Sequence, residues 1–211
     1  MSDAARPRKR PEDAYDRTHE KIKEATLVTI ARLGLSATTI QKIAEAADVS
    51  TATIIKHFET KENVLQYALE ATAREFNEGR AQVLRESGGD PVKYLLLTVD
   101  LVLHPTISNT SRIAVWNAFW GEVQVRKVYL DCMGTIELDY EVTVVRMCQQ
   151  IAEKGRYARI EPEAAAIGFI GLLDWLWQEK MVKGEAFDFA RARRLALAHL
   201  RNTFPRHFPA T

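Results

Sequence analysis

Apolar side chains recur three and four residues apart along almost the entire chain, which is the spacing of one face of an α-helix. Between residues 16 and 33, for example, Ile22, Ala25, Ile30 and Leu33 share such a face, and Gly34 follows as a helix terminator. The two-residue alternation that is typical of β-strands is absent. The pattern therefore predicts an all-α protein.

Breaks in this pattern divide the rest of the chain into eight further helical segments. Thr38, with Gln41 three residues later, forms a capping-box pattern, and Ser50 and Thr60 precede later segments as cap residues. Residues 86–91 contain two glycines and a proline, which is typical of a connection or a domain boundary. The expected helical ranges are about 38–47, 50–58, 60–84, 92–103, 108–120, 122–154, 162–181 and 188–201.

Residues 38–58 are predicted to form a helix, a short turn and a second helix. In the stretch "DVSTATIIKHF", Ile54, Ile55 and Phe58 form an apolar side suited to a core. The opposite side is small, rich in hydrogen-bond donors and free of carboxylates; its residues are Ala52, Thr53, Lys56 and His57. Because a helix-turn-helix places its second helix in the DNA major groove, this side is a candidate DNA-binding surface.

Charge is balanced over the 211 residues, with 29 basic and 28 acidic side chains, so the protein as a whole is not a general polyanion binder. The hydrophobic content of 46% suffices for a core in one or two domains. The N-terminal arm, residues 1–15, is locally basic. Such an arm either stays disordered and solvated or reaches into a nucleic-acid groove. Its basic residues are Arg6, Arg8, Lys9 and Arg10.

Cys132 and Cys148 would lie on different sides of a helix, so reduced thiols are expected instead of a disulfide. No signal peptide is recognisable, and no stretch approaches the roughly 18 apolar residues of a membrane span. Nucleophile-elbow, P-loop and dinucleotide-binding motifs are absent, as is metal-ligand spacing. We therefore expect a cytoplasmic, non-enzymatic protein that uses no cofactor or metal and does not enter the membrane.

The stretch "TTIQKIAEAADVSTATIIKHFETKENVL", residues 38–65, resembles the DNA-binding domain of the TetR family of transcriptional repressors. The resemblance extends over about residues 17–66. It implies a three-helix DNA-binding domain at 16–62, followed by a larger helical domain at 63–211 that dimerises and holds a small ligand. The implied function is repression from a palindromic operator that is bound by a homodimer.

The resemblance also assigns roles to individual residues. Thr38 and Thr39 would hold a phosphate, and Lys61 would contact the DNA backbone. The family commonly has glycine where this chain has Asp48 and Ala52, and tyrosine where it has Ile55. The assigned DNA-binding residues are Thr38, Thr39, Ser50, Thr51, Ala52, Thr53, Ile55, Lys56, His57 and Lys61.

Two C-terminal stretches, "RIAVWNAFW" and "GFIGLLDWLWQEK", resemble the BetI-like, choline-responsive subgroup of the same family. Trp116, Phe119 and Trp120 share a helix face, as do Asp174 and Trp177. An aromatic wall with one carboxylate suits a choline-like cation. The alternative is that the aromatic residues are core and that Asp174 pairs with an arginine across a dimer.

Dimerisation is expected through the last two helices, where small residues allow close approach and leucines supply apolar area. The residues concerned are Ala164, Ala165, Gly168, Gly171, Leu172, Leu195 and Leu200. The alternative function is a helical ligand-binding or interaction module whose DNA-binding domain is degenerate, as Asp48 and Ile55 would suggest.

Overall fold

A computed structural model describes residues 11–122 and 126–209, and within them the fold is nine α-helices with one short 3₁₀ turn and no strand. The predicted all-α class is confirmed. The predicted basic arm falls largely on residues 1–10, which lie outside the described residues. The helices are α1 (Pro11–Leu33), α2 (Ile40–Ala47), α3 (Thr51–Phe58), α4 (Lys61–Ser87), α5 (Pro91–Val102), α6 (Thr110–Gly121), α7 (Arg126–Lys154), α8 (Pro162–Lys183) and α9 (Phe189–Thr203).

The chain forms two compact units, Met1–Ala68 and Leu69–Thr211. The sequence places a domain boundary six residues earlier, after residue 62. Helix α4 is continuous through both positions, so its first residues belong to the first unit and the remainder to the second.

The core of the first unit joins α1, α2, α3 and the start of α4. Ile22, Ile43, Ile54 and Val64 are completely buried in it, one from each helix. Burying a side chain of this size stabilises a fold by roughly 1.5–3 kcal/mol. This core holds α2 and α3 as a helix-turn-helix.

Thr39, and not Thr38, caps α2. The Thr39 hydroxyl accepts a hydrogen bond from the backbone N–H of Lys42 at 3.3 Å. Thr38 is fully buried, and its hydroxyl donates to the carbonyl oxygen of Gly34 at 2.8 Å. The predicted capping box at Thr38 was therefore wrong by one residue, because tertiary packing draws Thr38 back against the end of α1.

Asp48 ends α2 in the left-handed conformation, with φ 47° and ψ 55°. Its backbone N–H bonds the carbonyl oxygens of Ala44 and Glu45, which closes the turn into α3. Aspartate tolerates this conformation better than most residues, and glycine adopts it without strain. The need for a left-handed residue explains why glycine is common here in the family that the sequence resembles.

Substitution of Asp48 by valine is expected to destabilise the first unit by about 1–2 kcal/mol, because a β-branched side chain is strained at positive φ. Asp48→Gly is the matched control and should change stability by no more than about 0.5 kcal/mol. The exposed ion pair of Asp48 with Lys21, at 3.5 Å, contributes little. Hydrogen exchange of the α2 and α3 amides measures the change, and equal protection in the two variants would contradict this account of the turn.

The second unit packs α5 to α9 and the rest of α4 around a core of its own. Tyr94, Phe119, Phe169 and Phe204 are the largest fully buried side chains among its described residues. Both cysteines are free thiols, and burial raises the pKa of Cys148 to about 12. Within the described part of the chain, no helix has the length and apolarity to cross a membrane.

Candidate DNA-binding surface and ligand cavity

The second helix of the helix-turn-helix, α3, begins at a well-formed cap. The Ser50 hydroxyl accepts from the backbone N–H of Thr53 at 3.0 Å and lies 2.8 Å from the Thr53 hydroxyl. The polar atoms of these two side chains are therefore engaged with each other at the start of the helix. This arrangement holds the first turn of α3 in place.

Four residues of α3 are exposed and form what we call the α3 surface: Thr51, Ala52, Ile55 and Lys56. On the other side of the helix, Ile54 and Phe58 are buried in the core. Ile55 is 51% exposed, although its position in the apolar pattern suggested a place in the core. Exposed Ile55 and the small side chain of Ala52 form an apolar patch that another surface can approach closely.

His57 does not share the α3 surface but turns toward α1. Its Nδ1 lies 3.1 Å from Nε2 of His19, and its ring is 4.8 Å from that of Tyr15. Burial and the neighbouring His57 lower the pKa of His19. This is the geometry of a histidine packed within the domain, and not of a side chain that reaches toward bases.

Two lysines, one on α2 and one on α4, point at backbone carbonyl oxygens of the loop between α1 and α2. Lys42 donates to Ala37 at 2.9 Å, and Lys61 approaches Leu35 at 3.5 Å. The carboxylate of Asp48 is 99% exposed and lies near Lys21. Thr39 is exposed at the start of α2, whereas Thr38 is buried and cannot offer its hydroxyl to a phosphate.

The second unit contains a cavity of about 320 Å³ bounded by α4, α5, α6, α7 and α8, which we call the aromatic cavity. Among the described residues that line it, six carry aromatic rings and three carry carboxylates, and none is lysine, arginine or histidine. The lining residues are Phe76, Val102, Trp116, Asn117, Trp120, Tyr129, Glu137, Tyr140, Glu141, Ile170, Leu173, Asp174, Trp177 and Gln178.

The inner wall of the aromatic cavity is a cluster of rings in edge-to-face contact. Phe76 lies 5.6 Å from Trp116, 5.9 Å from Tyr140 and 6.0 Å from Trp177, measured between ring centroids. The indole N–H of Trp177 donates to the carbonyl oxygen of Val102 at 2.8 Å. Trp120 is 68% exposed while lining the cavity. Packing of this kind holds the ring faces in position around the space.

Asp174 has no hydrogen bond or ion pair with any other residue in the described part of the chain. It is accessible from the cavity, yet surrounding protein atoms desolvate it, and the nearby carboxylate of Glu137 adds repulsion. Together these effects raise the pKa of Asp174 to about 6. Glu137 itself accepts a short hydrogen bond from the hydroxyl of Tyr129. Negative charge is therefore concentrated in the aromatic cavity, and none of the described residues that line it is basic.

Four of the five ligand residues predicted from the sequence line the aromatic cavity: Trp116, Trp120, Asp174 and Trp177. Phe119 is the exception, since it is 1% exposed and is not among the described residues that line the cavity. It lies on the same helix as Trp116 and Trp120 but on the edge of the face that enters the core.

Sequence reasoning missed the contribution of α4 and α7. Phe76 comes from α4, and Tyr129, Glu137, Tyr140 and Glu141 come from α7. The spacing of Glu137, Tyr140 and Glu141 at three and four residues was a signal that they share a face. Nothing in the sequence showed that this face is opposite Asp174. No group of three or more potential metal ligands occurs in the part of the chain that the structure describes.

Two family models match the chain. One, for the tetR family of bacterial regulatory proteins, matches residues 22–68. The other, for the C-terminal domain of BetI-type transcriptional repressors, matches residues 91–205, which is more than half of the chain. The chain therefore belongs to the TetR family of bacterial transcriptional regulators and carries a BetI-type C-terminal domain. It is a helix-turn-helix DNA-binding regulator and not an enzyme, and the resemblances drawn from its sequence are confirmed.

Individual relatives agree with this membership. The transcriptional regulator BetI of Paraburkholderia xenovorans is 27% identical over 177 residues, 82% of this chain and 86% of the relative. A crystal structure of a putative transcriptional regulator from Pseudomonas aeruginosa has a TM-score of 0.71 at 24% identity, covering 95% of this chain and 96% of the other. A regulator from Saccharomonospora viridis, solved in complex with choline, has a TM-score of 0.64 at 20% identity, covering 88% and 96%.

Proposed function

We propose that this regulator is a repressor that binds a palindromic operator as a homodimer and is controlled by a small organic cation in the aromatic cavity. The observation that carries the proposal is the composition of that cavity: among the described residues that line it, every charged one is a carboxylate and six are aromatic. Ring faces attract cations through their quadrupole, and more strongly where water is displaced.

Recognition of DNA is assigned to the α3 surface and the start of α2. Thr51 and Ala52 lie at the N-terminal end of α3, the end that contacts base edges in helix-turn-helix proteins. Exposed Ile55 suits contact with a thymine methyl group, and Lys56 suits a phosphate or a guanine. Exposed Thr39 and the first backbone N–H groups of α2 suit a phosphate. Ser50 and Thr53 hold the first turn of α3 in place, and Lys61 is assigned to the DNA backbone.

Dimerisation is assigned to an exposed stripe along α8. The large apolar residues Ile167 and Trp175 are 46% and 63% exposed, and a Cβ added at Gly171 would meet no atom within 4 Å. Leu195 on α9 adds exposed apolar area, whereas Leu200 is buried within its own subunit and cannot contribute. A second copy of the chain on this stripe would cover side chains that are unfavourable in water.

A quaternary ammonium ligand fits the aromatic cavity on chemical grounds. It needs no hydrogen-bond acceptor, packs its methyl groups against rings, and its charge is balanced by Asp174. The structural relative from S. viridis was solved in complex with choline, which adds support at the level of the fold. Choline is therefore the first compound to test.

Control of DNA binding requires a ligand that prefers one subunit arrangement to another. Helix α4 carries Lys61 in the first unit and Phe76 on the cavity wall, so a ligand that moves Phe76 acts on the helix that also carries Lys61. Each ~1.4 kcal/mol of preference shifts the balance of arrangements tenfold.

The proposal is tested by a gel-shift assay on DNA upstream of the protein's own coding region, at low salt, with and without choline. We expect a shift that choline alters and that 3,3-dimethylbutan-1-ol, the uncharged isostere of choline, leaves unchanged. A ligand-binding module with a degenerate DNA-binding domain would bind choline and shift no fragment. Equal effects of choline and its isostere would disprove the cation effector.

Choline affinity of the wild-type protein is expected to fall as the pH drops below about 6, the pKa of Asp174. Choline has no titratable group and favours the carboxylate form, so it lowers this pKa on binding. Affinity is therefore full above pH 6 and decreases by up to about tenfold per pH unit below it. Calorimetry in buffers of different ionisation enthalpy should detect proton release on binding below pH 6. Stronger binding on acidification would contradict the role of Asp174.

A further inference from the structure

We propose that the α3 surface distinguishes its operator chiefly by methyl groups of pyrimidine bases, which Ile55 and Ala52 contact, and not by hydrogen bonds to base edges. This inference rests on the proposed function, since it concerns the assignment of α3 to the major groove. Its basis is that the fold engages two of the four polar side chains of α3, while it leaves two apolar side chains exposed.

The two engaged polar side chains are Thr53 and His57. The hydroxyl of Thr53 lies 2.8 Å from the hydroxyl of Ser50, which caps the helix. Nδ1 of His57 lies 3.1 Å from Nε2 of His19 on α1. These contacts occupy polar atoms that would otherwise be available to base edges.

The two remaining polar side chains, Thr51 and Lys56, provide little discrimination between bases. A threonine hydroxyl pairs with several bases alike, and a lysine suits guanine. The helix contains no asparagine, glutamine, arginine, aspartate or glutamate, the other residues that identify a base by hydrogen bonds. Hydrogen bonds from α3 therefore specify little beyond one guanine.

The apolar residues Ile55 and Ala52 lie at the centre of the α3 surface. At about 100° per residue, they are roughly 40° and 100° around the helix from Thr51, and the next side chain of the surface, Lys56, is at roughly 140°. Ile55 is 51% exposed, whereas its neighbour Ile54 is completely buried. DNA that faces α3 therefore meets an apolar centre with one polar side chain on each side of it.

The apolar group that a base pair offers in the major groove is the 5-methyl group of thymine. Methylated cytosine carries a methyl group at the same ring position, and uracil has the hydrogen-bonding groups of thymine without the methyl. Removal of one methyl-sized group from water favours binding by about fourfold. Loss of a contacted methyl group should therefore weaken binding about fourfold per half-site and about 15-fold when both half-sites change.

The test uses a duplex that the wild-type protein selects from a random library. Each thymine is replaced in turn by deoxyuridine, symmetrically in both half-sites, and binding to the full-length protein is measured by fluorescence anisotropy. We expect at least one position at which the affinity falls about 15-fold. At that position, a pair of 5-methylcytosine with guanine should bind about 15-fold more tightly than unmodified cytosine with guanine.

Ile55→Ala should remove the difference between thymine and deoxyuridine by weakening binding of the thymine duplex alone. The matched control is Val28→Ala, because Val28 is 42% exposed in the same unit but lies on α1. This control should retain the full difference. Any effect of deoxyuridine on the shape of the duplex is common to the wild type and both variants, so the comparison measures the contact with Ile55.

A selected duplex in which no deoxyuridine lowers the affinity would overturn this inference and leave α3 as a groove-binding helix. A thymine preference that persists in Ile55→Ala, or that is lost equally in Val28→Ala, would also overturn it. Failure of the proposed function is seen separately, as a selection that enriches no duplex, and it would refute both. Circular dichroism establishes that the variants are folded before they are compared.

Discussion

Replacement of Lys56 by glutamate is expected to lower the affinity for operator DNA at least a hundredfold. Lys56 is the only basic side chain of the α3 surface, and the described structure shows no ion-pair partner for it. Attraction to the phosphate backbone supplies a large share of protein–DNA affinity, and reversal of the charge replaces attraction by repulsion. A loss of about 1.4 kcal/mol per subunit, taken twice on a palindrome, gives a factor of about 100.

The DNA for this measurement is a duplex that the wild-type protein selects from a random library, so no operator has to be assumed. Lys93→Glu is the matched control, because Lys93 is also exposed but lies on α5 in the second unit. It makes the same change of net charge and should alter the affinity by less than about threefold at moderate salt. Lys56→Ala should weaken binding by a smaller factor and flatten the salt dependence.

Retained affinity in Lys56→Glu would show that α3 does not face the DNA as proposed. Equal losses in Lys56→Glu and Lys93→Glu would show that only net charge matters. In either case the assignment of Thr51, Ala52 and Ile55 to the groove would also fail, since they share the surface with Lys56.

Replacement of Asp174 by asparagine is expected to lower the affinity for choline by about 10- to 100-fold. The side chain keeps its size and loses its charge, so the aromatic wall remains and the counterion does not. At an effective dielectric constant of about 20, a carboxylate roughly 5 Å from a cation contributes about 3 kcal/mol, and access of water to the cavity reduces that value. The same variant should lose the decrease in affinity below pH 6.

Quenching of tryptophan fluorescence follows this binding directly, because Trp116, Trp120 and Trp177 all line the cavity. Asp139→Asn serves as the control for a charge lost outside it. DNA binding without ligand should be the same in Asp174→Asn as in the wild type, which separates effector binding from damage to the fold. An unchanged choline affinity in Asp174→Asn would rule out this carboxylate as the counterion.

The N-terminal unit shows which structural features a local sequence pattern predicts and which it does not. Ser50 and Thr60 are cap residues as predicted, because capping depends on a side chain and on backbone N–H groups two or three residues away. The same reasoning failed at Thr38, because Thr38 and Thr39 are both suitable cap residues and a local pattern does not distinguish them. Packing against the end of α1 buried Thr38, and the cap fell to Thr39. The orientation of the His57 side chain was likewise determined by packing, since its partner His19 is 38 residues away in the chain.

By itself, the sequence determined the all-α class, the order of the helices, the helix-turn-helix and the family, because helical periodicity, caps and the family motif are local features. Only the tertiary structure decided which side chains meet. It removed Phe119 from the cavity and added Phe76, Tyr129, Glu137, Tyr140 and Glu141 from helices distant in the chain. The physical reason is that a cavity and its charge depend on how helix faces pack across long sequence separations, and a periodic pattern shows only that a face exists.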